Sequence, residues 1–366
     1  MSLAPSSTLP LPFPAGATPA SLKSTSQPIP PSEILEVIFR DLARSILSGS
    51  GTASLTELRT VRAWLRAAAL TCHDFCPVAL DILWQNLDNL TPLLKLLPSF
   101  KELNGVHIIS RAISSSDWVR FDCYARRVRR VAYRTDSPSI EIHPSVYTAL
   151  SILHPSILPN LGSIAFPSSG ASSPLSFPDA ILLAVPAVRH VELTSRAHPS
   201  FVLLFLATLA GTSPQLTSLK LSGQSFAILE HTLSAFPELE ILGLTNMVDE
   251  MSSGVLGSIA ALKHLHSFSI HLSPLTLFPV PLLSFPASNF RTSPFMALKS
   301  LQVRCSNVNS PSILVLSSYM PRGALQRLTI TFESNPHPLF HGTLPHSSLP
   351  GYGFSMGVLA PAPKTL

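Results

Sequence analysis

The sequence predicts an α/β fold: a three-helix N-terminal module followed by a solenoid with parallel strands on its concave face and helices outside. Three observations support this prediction. A six-residue apolar pattern recurs over residues 128–333, helix-compatible apolar stretches separate its copies, and amphipathic helical patterns precede the first copy. The ends of the chain, residues 1–27 and 334–366, lack periodicity and are predicted to be disordered tails.

The composition narrows the class of protein. Of 366 residues, 46% are hydrophobic and 12% are charged, with a formal net charge of +5 that is spread along the chain. This diffuse charge does not demand a nucleic-acid partner. The longest apolar run, residues 201–210, is about half the length that spans a bilayer. The four cysteines have no disulfide-framework spacing. We therefore expect an intracellular protein, cytoplasmic or nuclear, with no membrane partner.

The helical module is predicted over residues 28–90. Its first helix can be capped by Ser32, and the next two helical patterns cover residues 58–70 and 78–87. The first helix has apolar residues on one face, at Ile34, Leu35, Ile38, Phe39 and Leu42. Residues 91–127 are predicted to be a helical linker. Three short helices bury too little apolar surface to be robust alone, so we expect them to dock within the chain or on a partner.

The six-residue pattern, apolar at positions 1, 4 and 6, occurs eight times. The copies are VRRVAY (128–133), LGSIAF (161–166), VRHVEL (188–193), LTSLKL (216–221), LEILGL (239–244), LHSFSI (265–270), LKSLQV (298–303) and LQRLTI (325–330). Their starts are 23 to 33 residues apart. Strands and helices alternating at this interval predict a parallel sheet, and no single unit can bury its own apolar side, so the units must stack.

Residues 128–333 resemble leucine-rich repeats in a degenerate form, because their interval brackets the period of that family. The family usually has Asn or Cys three residues beyond the third apolar position, where it satisfies the turning backbone. This chain has Gln224, Met247, Ser273 and Ser306 there. The missing asparagine ladder predicts irregular curvature and helices of variable length.

The side of each strand opposite its apolar positions is predicted to form a concave face that recruits a protein target. The residues predicted to bind the target are Arg130, Arg134, His190, Glu192, Ser218, Lys220, Ser267, His271, Arg304 and Arg327. The middle of this face is small and mostly neutral and both ends are basic, which suits a target with a small-residue or mildly acidic patch. Alternatively, the face is simply solvated or is covered by the C-terminal tail.

The N-terminal module resembles an F-box. P-x-E-I-L at Pro31–Leu35, with Ile38 and Phe39, is similar to the first helix of that family. LTCHDF at residues 70–75 is similar to its second signature, and Leu83–Trp84 to its third. The Gly/Ser stretch at residues 48–54 is longer than the compact family pattern. The whole layout resembles fungal F-box proteins with degenerate C-terminal repeats.

This resemblance implies the substrate-recognition subunit of a cullin-type ubiquitin ligase. In that family the F-box binds a Skp-type adaptor, and through it a cullin, while the C-terminal domain recruits the target. Carried over residue by residue, the adaptor-binding set is Pro31, Ile34, Leu35, Ile38, Phe39, Leu70, Phe75 and Trp84. The alternative is a leucine-rich-repeat scaffold with no ubiquitin role, whose N-terminal helices form an ordinary core and cap the array.

The catalytic motifs searched for give no support for an enzyme. Walker A, G-x-G-x-x-G and H-E-x-x-H are missing, and the single match to G-x-S-x-G, residues 353–357, lies in the tail predicted to be disordered. Cys72 and Cys76 lack the second ligand pair that a zinc site needs, so they are interpreted as buried helix cysteines. The basic stretch 126–134 could contact phosphate, but the interpretation that it forms the first repeat strand is favoured. We predict no enzymatic activity, no cofactor, no metal and no nucleic-acid partner.

Overall fold

The computed structural model describes residues 32–44, 54–134, 141–154, 156–166, 177–193, 199–249, 251–272, 295–305 and 325–332. The described helices are α1 (Ser32–Leu42), α2 (Leu55–Thr71), α3 (Phe75–Gln85), α4 (Thr91–Leu94), α5 (Ser115–Ala125), α6 (Pro144–Leu153), α7 (Phe177–Leu183), α8 (Pro199–Thr212), α9 (Ala227–Thr232) and α10 (Ser253–Ala260). A 3-10 turn at Leu233–Ala235 follows α9. The two predicted tails, Pro31, Ser273, Ser306 and most of the Gly/Ser stretch lie outside the described residues.

The described strands are β1 (Asn86–Leu87), β2 (Phe100–Leu103), β3 (Val106–Ile109), β4 (Arg130–Ala132), β5 (Ser163–Phe166), β6 (His190–Leu193), β7 (Ser218–Ser222), β8 (Ile241–Thr245), β9 (Ser267–Leu272), β10 (Ser300–Cys305) and β11 (Arg327–Phe332). Nine of them form one sheet in the order β1-β4-β5-β6-β7-β8-β9-β10-β11. Every pairing in this sheet is parallel, whereas β2 and β3 pair antiparallel. The predicted α/β class with a parallel sheet is confirmed.

The eight hexamers pair as neighbouring strands in a single register. Their fourth positions are aligned across the sheet, at Val131, Ile164, Val191, Leu219, Leu242, Phe268, Leu301 and Leu328. From β4 to β10 these side chains are buried, because period-2 alternation turns positions 4 and 6 toward the helices. The core therefore lies between the sheet and the helices that cross from one strand to the next.

A repeated backbone contact fixes the start of each strand. The carbonyl oxygen at position 2 of one hexamer accepts bonds from the N–H groups at positions 2 and 3 of the next. At Arg189, for example, these donors are Thr217 and Ser218, both at 2.9 Å. The same pair of bonds recurs along the sheet from Arg129 to Lys299. This contact requires only backbone atoms, so it survives the variation in side chains between the hexamers.

Side-chain bonds also join neighbouring units near the helix ends. The Asp249 carboxylate accepts a 2.7 Å bond from the backbone N–H of Phe226 and a second bond from the Ser225 hydroxyl. The buried Ser213 hydroxyl donates a 2.6 Å bond to the carbonyl oxygen of Val185, one unit earlier. The described helices between successive hexamers vary in length, from 6 residues in α9 to 14 in α8. Individual polar residues thus satisfy backbone groups where a uniform asparagine ladder is missing.

Strand β1 was not predicted. It continues directly from α3 and pairs with the first hexamer, with Leu87 aligned to Val131. The sequence WQNLDN at residues 84–89 has apolar residues at positions 1 and 4 but Asn89 at position 6. This stretch therefore does not match the six-residue pattern, although its fourth position aligns with the fourth position of the first hexamer.

The stretch predicted as a helical linker, residues 91–127, also contains a β-hairpin. Strands β2 and β3 are joined by Asn104 and Gly105, whose φ angles are +55° and +84°. Asn-Gly with two positive φ angles is the sequence signal of a tight type I′ hairpin turn. Helices α4 and α5 flank this hairpin, so the linker is mixed instead of purely helical.

The buried apolar side chains of the described residues form two clusters. The larger cluster extends from Leu87 to Val303 along the sheet. The smaller one lies among α1, α2 and α3, with its buried members at Phe39, Ala43, Leu65, Ala79 and Ile82. Leu83 packs against the smaller cluster and Trp84 against the larger one, so the end of α3 joins the two.

Candidate interaction surfaces

Helix α1 carries two apolar rows with opposite environments. Leu35, Phe39 and Ala43 are 4%, 6% and 0% exposed, whereas Ile34, Ile38 and Leu42 are 49%, 44% and 48% exposed. Each row has a spacing of four residues, and the rows lie about 100° apart around the helix. Only the first row fits against α2 and α3, so the second row stays at the surface. Val37 widens this exposed edge. We call Ile34, Val37, Ile38 and Leu42 the α1 surface.

Aromatic contacts hold the buried row in place. The Phe39 ring packs edge-on against Phe75, with 5.6 Å between the ring centroids, and against Trp64 at 6.3 Å. Phe75 is half-buried in the smaller cluster, while Trp64 is also partly exposed. The predicted adaptor-binding residues Leu35, Phe39 and Phe75 therefore form internal contacts in this structure.

The remaining predicted adaptor residues lie in different settings. Leu70, at the end of α2, is 82% exposed. Trp84 packs on Tyr124 with 4.7 Å between the rings and belongs with the core of the sheet. The predicted set thus divides into exposed residues on α1 and α2, internal residues of the helical module, and one residue at the sheet edge. Sequence periodicity alone could not separate these groups, because all of them are apolar.

Two ion pairs fasten the helical module to the sheet edge. Arg127, just before β4, pairs with Asp81 of α3. Arg62 of α2 binds both carboxylate oxygens of Asp88, at 2.5 and 2.8 Å, and both side chains are mostly buried. The bidentate geometry and partial burial make the second pair the more specific of the two. The helices are therefore fixed to the first strands of the sheet.

The predicted target-binding residues share the side of the sheet that faces away from the helices, here called the polar face. One register row runs through Arg130, Ser163, His190, Ser218, Ile241, Ser267, Ser300 and Arg327. In further rows Glu192 is aligned with Lys220, and His271 with Arg304. Arg134 lies two residues beyond Ala132 and has the same alternation.

Exposure differs along the polar face. His190, Lys220, Arg304 and Arg327 are exposed, and the other predicted residues except Ser218 are half-buried. Ser218 is buried although it was predicted to bind the target. Its register partners on the two sides are His190 and Ile241, whose side chains are longer. A short side chain between two longer ones is a poor contact residue.

The electrostatic environment of His190 reports a positive region around β4 to β7. Its pKa lies below the ordinary value, first because partial burial disfavours the charged ring. The positive charges of Arg130, Lys220 and Arg189 lower the pKa further, while Glu240 partly opposes them. His190 is therefore held in its neutral form near pH 7.

Three arginines outside the predicted binding sets lie beside this region. Arg59, Arg62 and Arg66 follow each other at i, i+3 and i+7 along α2 and line one cleft, of about 420 Å³, between α2 and β1. The same cleft is lined by Leu83, Trp84, Asn86, Leu87 and Asp88, among others. The spacing R-x-x-R-x-x-x-R within residues 59–66 is a signal that could have revealed a charged helix side.

Other chemistry is limited in the part of the chain that the structure describes. No group of three His, Cys, Asp or Glu side chains there is arranged to hold a metal ion. None of the described helices has the length and apolar content needed to cross a bilayer. Cys72 and Cys76 are half-buried thiols and Cys123 is an exposed one. No protein-family model matches this chain, and no curated protein matches its sequence.

Proposed function

We propose that this protein is a non-catalytic recognition subunit of a cullin-type ubiquitin ligase. Its N-terminal helices dock on a Skp-type adaptor, and its polar face recruits a protein target. The observation that carries this proposal is the α1 surface, a row of exposed apolar side chains beside a second row that is buried. Ile34 and Ile38 belong both to this surface and to the residues that resemble the F-box signature.

The energetics favour a docking role for these side chains. Fully burying an aliphatic side chain contributes about 1.5 to 3 kcal/mol. Removing the exposed halves of four such side chains from water would contribute about 3 to 6 kcal/mol before the costs of association. A helix that lays an apolar row into a groove is a common recognition mode. An adaptor with an apolar groove is therefore the chemistry that fits α1.

We also propose that the strand-helix units are degenerate leucine-rich repeats stacked as a solenoid. The common register of the hexamers and the repeated position-2 carbonyl contact support this interpretation. In such arrays the open side of the sheet is a frequent binding surface. The target would accordingly contact the polar face.

The alternative, a repeat scaffold whose helices cap the array, is favoured by a specific observation. Helix α3 runs without a break into β1, and Arg127 and Arg62 pair with Asp81 and Asp88 across the junction. A cap needs this continuity, whereas a separate docking module does not. The two functions make different predictions for the α1 surface, because a cap does not use it.

Co-purification with a recombinant Skp-type adaptor tests the proposal. The variant Ile34→Asp/Ile38→Asp places two charges on the α1 surface without changing a buried residue. We expect the affinity to fall at least about a hundredfold, since each interface anchor contributes about 1.4 kcal/mol or more. The matched control is Ile152→Asp/Leu153→Asp, two exposed apolar residues at the end of α6.

Thermal unfolding of both variants should resemble that of the parent, because exposed substitutions usually change stability by about 0.5 kcal/mol or less. Adaptor binding that is unchanged in Ile34→Asp/Ile38→Asp, or equally weakened in the α6 control, would contradict docking through α1. A parent chain that does not bind the adaptor at all would favour the capping scaffold.

A further inference from the structure

We propose that the cleft between α2 and β1, together with Arg130 on the adjoining strand, binds a carboxylate-rich segment of the target protein. This inference rests on the proposed function and names the chemistry of the target. We call the surface formed by Arg59, Arg66 and Arg130 the arginine surface.

The cleft has uncompensated positive charge. Of the charged residues that line it, three are arginines and one is Asp88. Asp88 is already engaged by Arg62 through two hydrogen bonds. Arg59 and Arg66 are exposed, and neither contacts a carboxylate within the described residues. Two cations are therefore available to an incoming anion, and guanidinium groups bind carboxylates through paired N–H donors.

The rest of the cleft is apolar. Leu83, Trp84 and Leu87 contribute to its lining, and the first two are partly accessible. The Arg62–Asp88 pair fixes one wall, so the cleft does not depend on a ligand to hold its side chains. A segment that alternates acidic and aliphatic residues would place carboxylates on the arginines and apolar groups on this floor.

The cleft continues onto the polar face. Asn86 in the cleft lining is aligned with Arg130 in the first row of the sheet. Neighbouring strands are about 4.8 Å apart, so Arg130 lies one strand away from the cleft. Its Nε atom is buried and has no hydrogen-bond partner among the described residues. An extended segment crossing β1 and β4 would meet Arg59 or Arg66 and then Arg130.

The side-chain inventory favours an acidic protein segment over nucleic acid. Nucleic-acid surfaces combine many phosphate contacts with exposed rings on which bases stack. Here the available cations are few, and the ring in the cleft, Trp84, is packed against Tyr124.

The arginine surface and the α1 surface can be tested separately. Trp64, which contacts Phe39 of α1, and Arg66 are two residues apart on α2. This spacing places them about 200° apart around the helix axis. Substitutions at Arg59 and Arg66 therefore leave the side of α2 that meets α1 unchanged.

The test is a binding titration of the full chain with a fluorescein-labelled twelve-residue peptide of alternating Glu and Leu. The matched peptide has Gln in place of Glu. We expect the acidic peptide to bind and the neutral one to bind at least about tenfold more weakly. Arg59→Glu/Arg66→Glu should weaken the acidic peptide at least about tenfold, and Arg130→Gln by about three- to tenfold. The control Lys263→Glu/Lys299→Glu changes two exposed lysines beside β9 and β10, at the far end of the sheet, and should change it by less than about twofold.

Several outcomes would overturn the inference. The neutral peptide could bind equally well, the double variant could bind like the parent, or the far-end control could be the one that loses binding. A single-stranded oligonucleotide that binds more tightly than the peptide and needs Arg59 and Arg66 would make the surface a nucleic-acid site. Circular dichroism melts check that the variants, all of which change half-buried or exposed residues, remain folded.

The adaptor experiment separates this failure from a failure of the proposed function. Ile34→Asp/Ile38→Asp should keep peptide binding, and Arg59→Glu/Arg66→Glu should keep adaptor binding. Loss of both activities in either variant would contradict two independent surfaces.

Discussion

The parallel sheet and the N-terminal helices differ in how completely they bury their apolar side chains. In the sheet, Leu219, Leu242 and Phe268 at aligned positions are fully buried. In the helical module, one apolar row of α1 is buried while the other, with Ile34 and Ile38, is about half exposed. Apolar residues at a regular period therefore form a buried core in the sheet, whereas in α1 some of them remain exposed on the surface.

Geometry explains the difference. Each inner strand of the sheet has a neighbour on both sides, so the unit before and the unit after cover its apolar positions. Helices α1, α2 and α3 have 11, 17 and 11 residues. Within the described residues they pack on one another, apart from the junction at Trp84 and the two ion pairs to the sheet edge. A cluster of that size cannot enclose a helix with two apolar rows. The surplus row is what a partner could use.

Two expected effects are the largest and of similar size, and the first of them tests the sheet side of this comparison. Leu219→Ala removes a fully buried side chain between two neighbouring strands and should lower the free energy of unfolding by about 2 to 5 kcal/mol. Urea denaturation followed by far-ultraviolet circular dichroism measures it. Leu70→Ala, at an exposed position of α2, is the control and should change stability by about 0.5 kcal/mol or less. Equal effects of the two changes would contradict the burial pattern.

The next effect separates the two rows of α1. Phe39→Ala should destabilise the helical module by about 3 to 5 kcal/mol, because the ring packs against Phe75 and Trp64. Ile38→Ala, one residue away but on the exposed row, should cost less than about 1 kcal/mol. Tryptophan fluorescence measures unfolding, with Trp84 and Trp118 replaced by Phe in every variant so that Trp64 reports on this cluster. If Ile38→Ala were the more damaging change, the assignment of the rows would be reversed.

A smaller effect concerns how the units of the sheet are held together. Asp249→Ala removes the acceptor of the Phe226 N–H and of the Ser225 hydroxyl, and should cost about 1 to 2 kcal/mol. Glu238→Ala removes an exposed carboxylate 3.9 Å from His264 and is the matched control. Its cost should be about 0.5 kcal/mol or less. An Asp249→Ala protein as stable as the control would show that the backbone contacts suffice.

The pairing of the strands could be predicted from the sequence because each strand has apolar side chains on one face only. Val131, Leu219 and Leu301 occupy the same hexamer position, and their alignment could be foreseen from spacing alone. Strand β1 was not predicted because Asn89 stands where the six-residue pattern requires an apolar residue. The two residues of this edge strand nevertheless pair with β4 in the common register. The sequence does contain the turn signal of the hairpin, Asn104–Gly105, but the prediction of a helical linker over residues 91–127 does not use it.

The candidate surfaces were less predictable. Leu35 and Ile38 are equally apolar, and which of them faces inward depends on where α2 and α3 lie. The arginine surface brings together residues 59, 66 and 130, whose proximity depends on the pairing of β1 with β4. The residues that line a surface can be listed from periodicity within one element, but contacts between elements require the packing.

The smallest expected effect is a pH dependence on the polar face. The pKa of His190 is lowered in the folded protein, so the unfolded chain binds a proton more readily. Stability should thus be unaffected by His190 above its ordinary pKa of 6.5 and should decrease as the pH falls below that value. His190→Gln should reduce the difference between unfolding curves measured at pH 7.5 and pH 5. If the parent were stabilised at the lower pH, or if His190→Gln lost as much stability as the parent, Arg130, Lys220 and Arg189 would not form the positive environment inferred for β4 to β7.

The same positive environment predicts a pH dependence of peptide binding. An acidic segment lying across Arg130 would offset the positive charge and make protonation of His190 easier. Acidic-peptide binding by the parent should then strengthen below neutral pH, and binding by His190→Gln should not.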